Sequence, residues 1–171
     1  MSEADAYFEQ VYAQSWRRVL RYIVTKTNAC TDVEDLMQEV YRKFYIRLQK
    51  RGGQDLKEPE AYLMTLAKRE LSAHYRGRKA AAQPDELPED AADPGPPVEE
   101  AVLQRLDTAA VWRVAQQEPL LSYKAFILFY GFDLPIAQIA KELTLSEQAV
   151  KSRLCRTRAR VRAALEKGAI R

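Results

Sequence analysis

An all-α fold of two small helical domains is predicted by three features of the 171-residue sequence. Apolar residues recur at helical spacing in both halves of the chain. No short run alternates like a half-buried strand between turn signals. Between the halves lies "AAAQPDELPEDAADPGPPVEE", residues 80–100, with five of the eight prolines, seven acids and no basic residue. Proline removes a backbone donor and fixes φ, so neither a helix nor a central strand suits this stretch. It reads as a flexible linker, extended by its prolines and by repulsion between its acids. The predicted organisation is a helical bundle over 1–79, an acidic Pro-rich linker over 80–98 and a second helical domain over 99–171.

Each element has its own warrant. Over 5–27, Phe8, Val11, Tyr12, Trp16, Val19, Leu20 and Ile23 fall on helical positions. A second helix opens at "TDVE", where Thr31 and Glu34 have the spacing of a capping box. Val33, Leu36, Met37, Val40, Phe44 and Leu48 form its inner stripe, and Gly52 and Gly53 end it. A third helix starts after Pro59 and runs toward Arg78, with Leu63, Leu66, Ala67 and Leu71 inward. Beyond the linker, 98–116 is amphipathic through Val102, Leu103, Leu106, Val111 and Val114. The apolar "YKAFILFYGF" could be a buried strand; its helical surroundings and the stop at Gly131 favour a helix. "LPIAQIAKEL" gives a short helix with Ile136, Ile139, Ala140 and Leu143 inward. Ser146 caps the last helix, whose Val150, Leu154, Val161 and Leu165 form one apolar stripe.

Composition narrows the function. The net charge of +3 conceals a basic half, an acidic spacer and a second basic half. Cys30 and Cys155 lie far apart, without a CxxC or a partner histidine, which argues against a zinc site or a disulfide scaffold and fits a reducing compartment. His74 is the one histidine. Such a chain offers little for catalysis, so no catalytic residue, metal or cofactor is expected. It has no apolar run near the length of a membrane span and no export-like start, which predicts a cytoplasmic protein without membrane insertion.

The last helix carries six basic residues and no acid between Lys151 and Arg162. Lys151, Cys155, Arg158 and Arg162 lie along one face, with Arg153, Arg156 and Arg160 beside it. A short helix, a tight turn and a second helix, basic outside and apolar inside, form a helix-turn-helix, whose second helix fits the DNA major groove. Charge alone fits a solvated face equally well; the turn and the serine cap favour DNA. Thr144 stands where such turns usually have glycine, so the turn needs another geometry.

"IAQIAKELTLSEQAVKSRLCRTRARVRAAL" resembles the C-terminal helix-turn-helix domain of bacterial sigma factors, in particular the two-domain extracytoplasmic-function class. In the first half, "DVEDLMQEVYRKFY" resembles that family's clamp-binding helix, and "AYLMTLAKRELSAHYRGRK" resembles its next helix. The resemblance covers nearly the whole chain in the right order. It implies a sigma factor that binds core RNA polymerase and directs promoter-specific initiation, reading the minus-35 element as duplex and helping melt the minus-10 element. Residues 1–79 would then be region 2-like and 99–171 region 4-like.

The implied roles follow the matching positions. Asp35, Gln38, Glu39 and Arg42 share one helix face and would dock on the clamp helices of the polymerase's largest subunit; on spacing alone this is a solvated face. Lys57, Tyr62, Lys68, Arg69, Ser72, Tyr75, Arg76 and Arg78 would meet minus-10 DNA, cations tracking phosphates and rings stacking on unpaired bases. The loop over 54–60 would hold a flipped base. Lys151, Ser152, Cys155 and Arg156 would contact the minus-35 element, with Arg153 and Arg158 nearer the backbone. Three positions depart from the pattern: Tyr62 replaces a tryptophan, Glu70 follows Arg69, and His74 has no assigned role. Cys155 beside cations is compatible with redox sensing, though a small residue tolerated at close approach is the plainer reading. The resemblance also implies contact with the polymerase flap region, an anti-sigma factor as partner, and a linker in the RNA exit path; a plain spacer fits the linker equally. Two rivals fit parts of the chain: an ordinary DNA-binding regulator and a helical adaptor for proteins. Neither needs the stripe of Asp35, Gln38 and Glu39.

Overall fold

The structure, a computed structural model, describes residues 2–53, 55–76 and 108–167, and every described element is helical. The chain divides into two compact units, Met1–Ala82 and Gln83–Arg171. The segment read as a linker, 80–98, lies outside the described residues, as do Arg78 and the start of the helix expected over 98–116.

The first unit packs three helices: α1 (Glu3–Lys26), α2 (Asp32–Arg51) and α3 (Pro59–Tyr75). Helix α1 starts earlier than its apolar pattern, because Ser2 and Asp5 cap each other's backbone N–H groups. The capping box expected at Thr31 is absent. Thr31 already has helical backbone angles, and its side chain makes no capping bond. Asp32, Glu34 and Asp35 in the first turn of α2 oppose the helix dipole instead. Gly52 ends α2 with φ of 70°, a conformation that favours glycine. Pro59 opens α3, where its missing N–H costs nothing.

The core of this unit is the predicted one. Val19, Ile23, Val40, Phe44, Leu48 and Leu63 are almost wholly buried. Tyr12 and Trp16, read as inward, are not part of it: Tyr12 is 41% exposed and Trp16 is half-buried. Phe8 instead leads an aromatic cluster, with ring centroids 5.4 Å from Tyr45, 6.0 Å from Phe44 and 6.1 Å from Tyr41. Ser15 is buried in α1; its hydroxyl donates to the Val11 carbonyl and lies 2.9 Å from the Tyr41 hydroxyl. Burial pushes the Tyr41 phenol up to about 12.

The second unit contains α4 (Thr108–Ala115), α5 (Leu120–Phe126), α6 (Ile136–Leu143) and α7 (Glu147–Glu166). The apolar stretch is helical, as expected, but it widens into a π-helical turn over Ile127–Gly131. Trp112 lies edge-on to Phe126 at 5.8 Å and closes on Gly131, where a Cβ would stand 3.5 Å from its ring. Val150, Leu154 and Val161 are fully buried and join Thr157 in fastening α7 down. Ser146 caps α7 through the Ala149 N–H at 3.0 Å.

The α6–α7 turn resolves the question raised by Thr144. Thr144 itself takes the left-handed conformation, φ 57° and ψ 46°. Its N–H bonds back to Lys141, and the Leu145 N–H donates to the Ala140 carbonyl at 2.9 Å. A β-branched residue is strained there by about 1–2 kcal/mol. Thr144→Gly is expected to stabilise the turn by about 0.5–1 kcal/mol, after glycine's own entropy cost. Slower hydrogen exchange of the α6 and α7 amides would show it; faster exchange would contradict it.

Candidate functional site: two polar grooves and a basic helix

Helix α2 presents the polar stripe. Asp35, Gln38 and Arg42 are exposed and Glu39 is half-buried. Gln38 Nε2 donates to Glu34 Oε1 at 3.3 Å. Arg42 Nε and Nη2 donate to the two oxygens of Glu39 at 2.8 and 2.7 Å. Lys43 Nζ lies 3.3 Å from Glu39 and 2.7 Å from Glu70. The hydrogen bond from Arg42 holds the Glu39 carboxyl down at about 2, against some desolvation. Asp35 makes no hydrogen bond or ion pair among the described residues, so it is the available charge of the stripe. Asp35, Gln38, Glu39 and Arg42 share a groove of about 480 Å³ with Glu70, Ala73 and His74 of α3.

The other flank of α3 is basic. Lys68, Arg69, Ser72 and Arg76 are exposed, as is Lys57 in the preceding loop. Lys68, Ser72, Tyr75 and Arg76 line a groove of about 430 Å³ with Leu71 and Tyr22. Lys68 also borders a groove of about 690 Å³, with Arg18 of α1 and Glu58 and Glu60 ahead of it. Arg18 Nη1 bonds Glu60 Oε2 at 3.2 Å. Arg18 and Tyr22 had been read only within a core helix. Gln14, Arg18 and Tyr22 follow an i, i+4, i+8 row off the apolar stripe, which was the available signal.

Two of the rings expected to stack on bases have structural engagements. The Tyr75 hydroxyl donates to Asp32 Oδ2, accepts from the Asn28 N–H and approaches Thr27 Oγ1, each at 2.8 Å. Burial, first among several causes, raises its pKa. Tyr62 is half-buried, 6.2 Å from the Phe44 ring and 5.1 Å beneath the Arg47 guanidinium. The two unexplained departures are also accounted for. Glu70 turns to Lys43 rather than toward the basic flank, and His74 Nε2 lies 3.2 Å from Asp32 Oδ2.

On α7 the cations sort into classes. Lys151 is exposed, and Cys155, Arg156 and Arg158 are half-buried. Ser152 and Arg153, expected to face DNA, are only 6% and 4% exposed. Arg153 shares the i, i+4 row of Ala149 and Thr157, which is buried throughout. Nothing on α7 itself explains the burial of Ser152. The Arg158 guanidinium lies 5.8 and 5.6 Å from the Phe129 and Tyr130 ring centroids. Arg160 Nη1 donates at 2.9 Å to Glu118 Oε2, which Thr157 Oγ1 also approaches at 3.5 Å. Glu118, a lone buried acid ahead of α5, gave no sequence signal. Cys30 and Cys155 are free thiols. Among the described residues no cluster could hold a metal ion, and no helix is long and apolar enough to cross a membrane.

Arg42→Ala is expected to return the Glu39 titration from about 2 toward 4.5. A carboxyl depressed on folding contributes stability above its unfolded pKa, and that contribution is lost as pH falls toward 2. At this exposed site screening keeps it small. Carbon-detected NMR titration of Glu39 checks the shift; an unchanged midpoint in the variant would refute the role of Arg42.

Comparisons with known proteins meet this geometry at the helix-turn-helix. Residues 123–161 match the family model for sigma-70, region 4. No curated protein matches. Among solved structures, the co-crystal structure of the sigma factor RpoE in complex with the anti-sigma factor NepR from Bartonella quintana aligns with 18% identity and a TM-score of 0.45, covering 93% of this chain and 96% of that one.

Proposed function

Given that the chain is a sigma factor, carrying sigma-70 region 4 over residues 123–161, we propose that it works as the two-domain extracytoplasmic-function kind does. It binds core RNA polymerase, directs it to a two-element promoter and helps melt the downstream element. The observation that carries this reading is the family match on a helix-turn-helix whose second helix is capped by Ser146, pinned by Val150, Leu154 and Val161, and basic outside. The function is binding, not catalysis.

The division of labour follows the surfaces. The stripe of Asp35, Gln38, Glu39 and Arg42 docks on the clamp helices of the largest subunit. Asp35 supplies the charge, and the Glu39–Arg42 pair supplies a fixed polar edge. Lys57, Lys68, Arg69, Ser72 and Arg76 track the phosphates of melted minus-10 DNA, with Tyr22 and Tyr75 walling the groove. Tyr62 supports the connection ahead of α3 from beneath. On α7, Lys151, Cys155 and Arg156 reach the minus-35 duplex, and Arg158 stands by the backbone, steadied by two rings. Ser152 and Arg153 leave the contact set because they are buried. The second unit also meets the flap region, and an anti-sigma factor in the cytoplasm holds the chain in check. Two weak DNA readings become one specific reading because both are tethered to one polymerase.

A paired experiment separates the two faces. Asp35→Arg is expected to weaken co-elution with core polymerase by about tenfold or more, since a like charge is placed opposite basic groups. Its helicity should not change. Arg156→Ala should co-elute normally yet lose about 1–3 kcal/mol of upstream-element binding in the holoenzyme. Loss of polymerase binding by the Arg156 variant would refute this division, and unimpaired co-elution of the Asp35 variant would remove the assigned docking face.

A further inference from the structure

Arg47 lies late in α2, with its side chain only 16% exposed. Neither the docking stripe nor the basic flank includes it. Its guanidinium nevertheless engages three successive parts of the α2–α3 connection. Nη1 donates to the Gly52 carbonyl at 3.3 Å. Nη2 donates to the two Asp55 carboxylate oxygens at 3.2 and 3.1 Å. The guanidinium carbon sits 5.1 Å from the Tyr62 ring centroid, in the first turn of α3. The connection is also fastened from the other side. Gly53 packs so closely on Tyr7 that a Cβ would stand 2.6 Å from the ring, and the Leu56 N–H closes on the Gly53 carbonyl at 3.0 Å.

We infer that Arg47 is a positioning residue, holding the α2–α3 connection in the conformation that reads unpaired bases. The inference rests on the proposed role of this connection and of α3 at the melted element. A loop that must order itself on binding loses affinity and discrimination to that ordering. Arg47 meets the cost in advance, with a planar fork that bonds a carbonyl and a carboxylate while covering a ring. A lysine cannot make that combination. The same contacts pair Asp55, an acid that would otherwise repel incoming phosphate, and leave Lys57 exposed close by.

The test uses holoenzyme reconstituted from core polymerase and the full chain. The probe is a DNA duplex whose central unpaired stretch carries randomised bases, and bound molecules are sequenced. A photo-crosslinking residue at Lys57 first asks whether the connection meets the unpaired strand. With that crosslink present, Arg47→Ala is expected to lower enrichment of the most favoured base about tenfold, a loss typical of misplaced contacts. Polymerase binding and total DNA retained should change less than about twofold. Arg47→Lys should share most of the loss, and Asp55→Asn, at an exposed position, part of it. Unchanged base preference in Arg47→Ala and Asp55→Asn, with the crosslink intact, would overturn the inference. Loss of polymerase binding together with equal loss on every sequence would reduce Arg47 to a structural role and also overturn it. Absence of the Lys57 crosslink in the otherwise unaltered chain would instead remove the reading on which the inference stands.

Discussion

The Asp32 carboxylate is the junction on which the first unit depends. Asp32 Oδ2 receives the Tyr75 hydroxyl at 2.8 Å and lies 3.2 Å from His74 Nε2. The same hydroxyl takes the Asn28 N–H and meets Thr27, the residue that ends α1. One cluster therefore ties together the end of α1, the start of α2 and the end of α3. Such networks have large effect because each member, once buried, needs its partners. The two neighbours on α3 also divide the surface. His74 walls the groove beside the acidic stripe, and Tyr75 walls the groove beside the basic flank. A single polar knot thus sets the angle between a face suited to basic protein groups and a face suited to nucleic acid.

The second unit solves a different problem, that of holding a highly cationic helix on an apolar core. Its buried stripe supplies the attraction, and Glu118 supplies the compensation. A buried carboxylate is costly unless paired, and Glu118 is satisfied by Arg160 and approached by Thr157 on α7. Arg158 spreads over two rings of the π-turned segment, a cation–π arrangement that also shields apolar surface. The consequence is selective. Several arginines of α7 serve packing and pairing, so the number of cations free to meet DNA is smaller than the number in the sequence.

Helix positions and the inner stripes of both units were legible, because apolar periodicity is a one-dimensional signal and burial is its direct result. The cap at Ser146 and the stops at Pro59 and Gly52 were legible for the same local reason. What escaped was set in three dimensions. The role of Arg47 depends on partners that follow it by five, eight and fifteen residues, a spacing that matches no local pattern. Glu118 reads as a stray acid until α7 folds over it. His74 and Glu70 looked like departures from a pattern, but each is spent on a contact between helices. Thr144 shows the limit of residue-type rules, since the left-handed turn forms there without glycine. Ser152 and Arg153 were placed outward by basic clustering, and burial overrode that placement.

Hydrogen–deuterium exchange of the full chain, free and bound to bacterial core RNA polymerase, tests the central claim most directly, because it reads every face in one experiment. The expected result is slowed exchange over residues 32–42 on polymerase binding. Residues 68–76 and α7 should change little until promoter DNA is added. Unchanged exchange over 32–42 in the presence of polymerase, or protection of α7 by duplex DNA equally without polymerase, would contradict it.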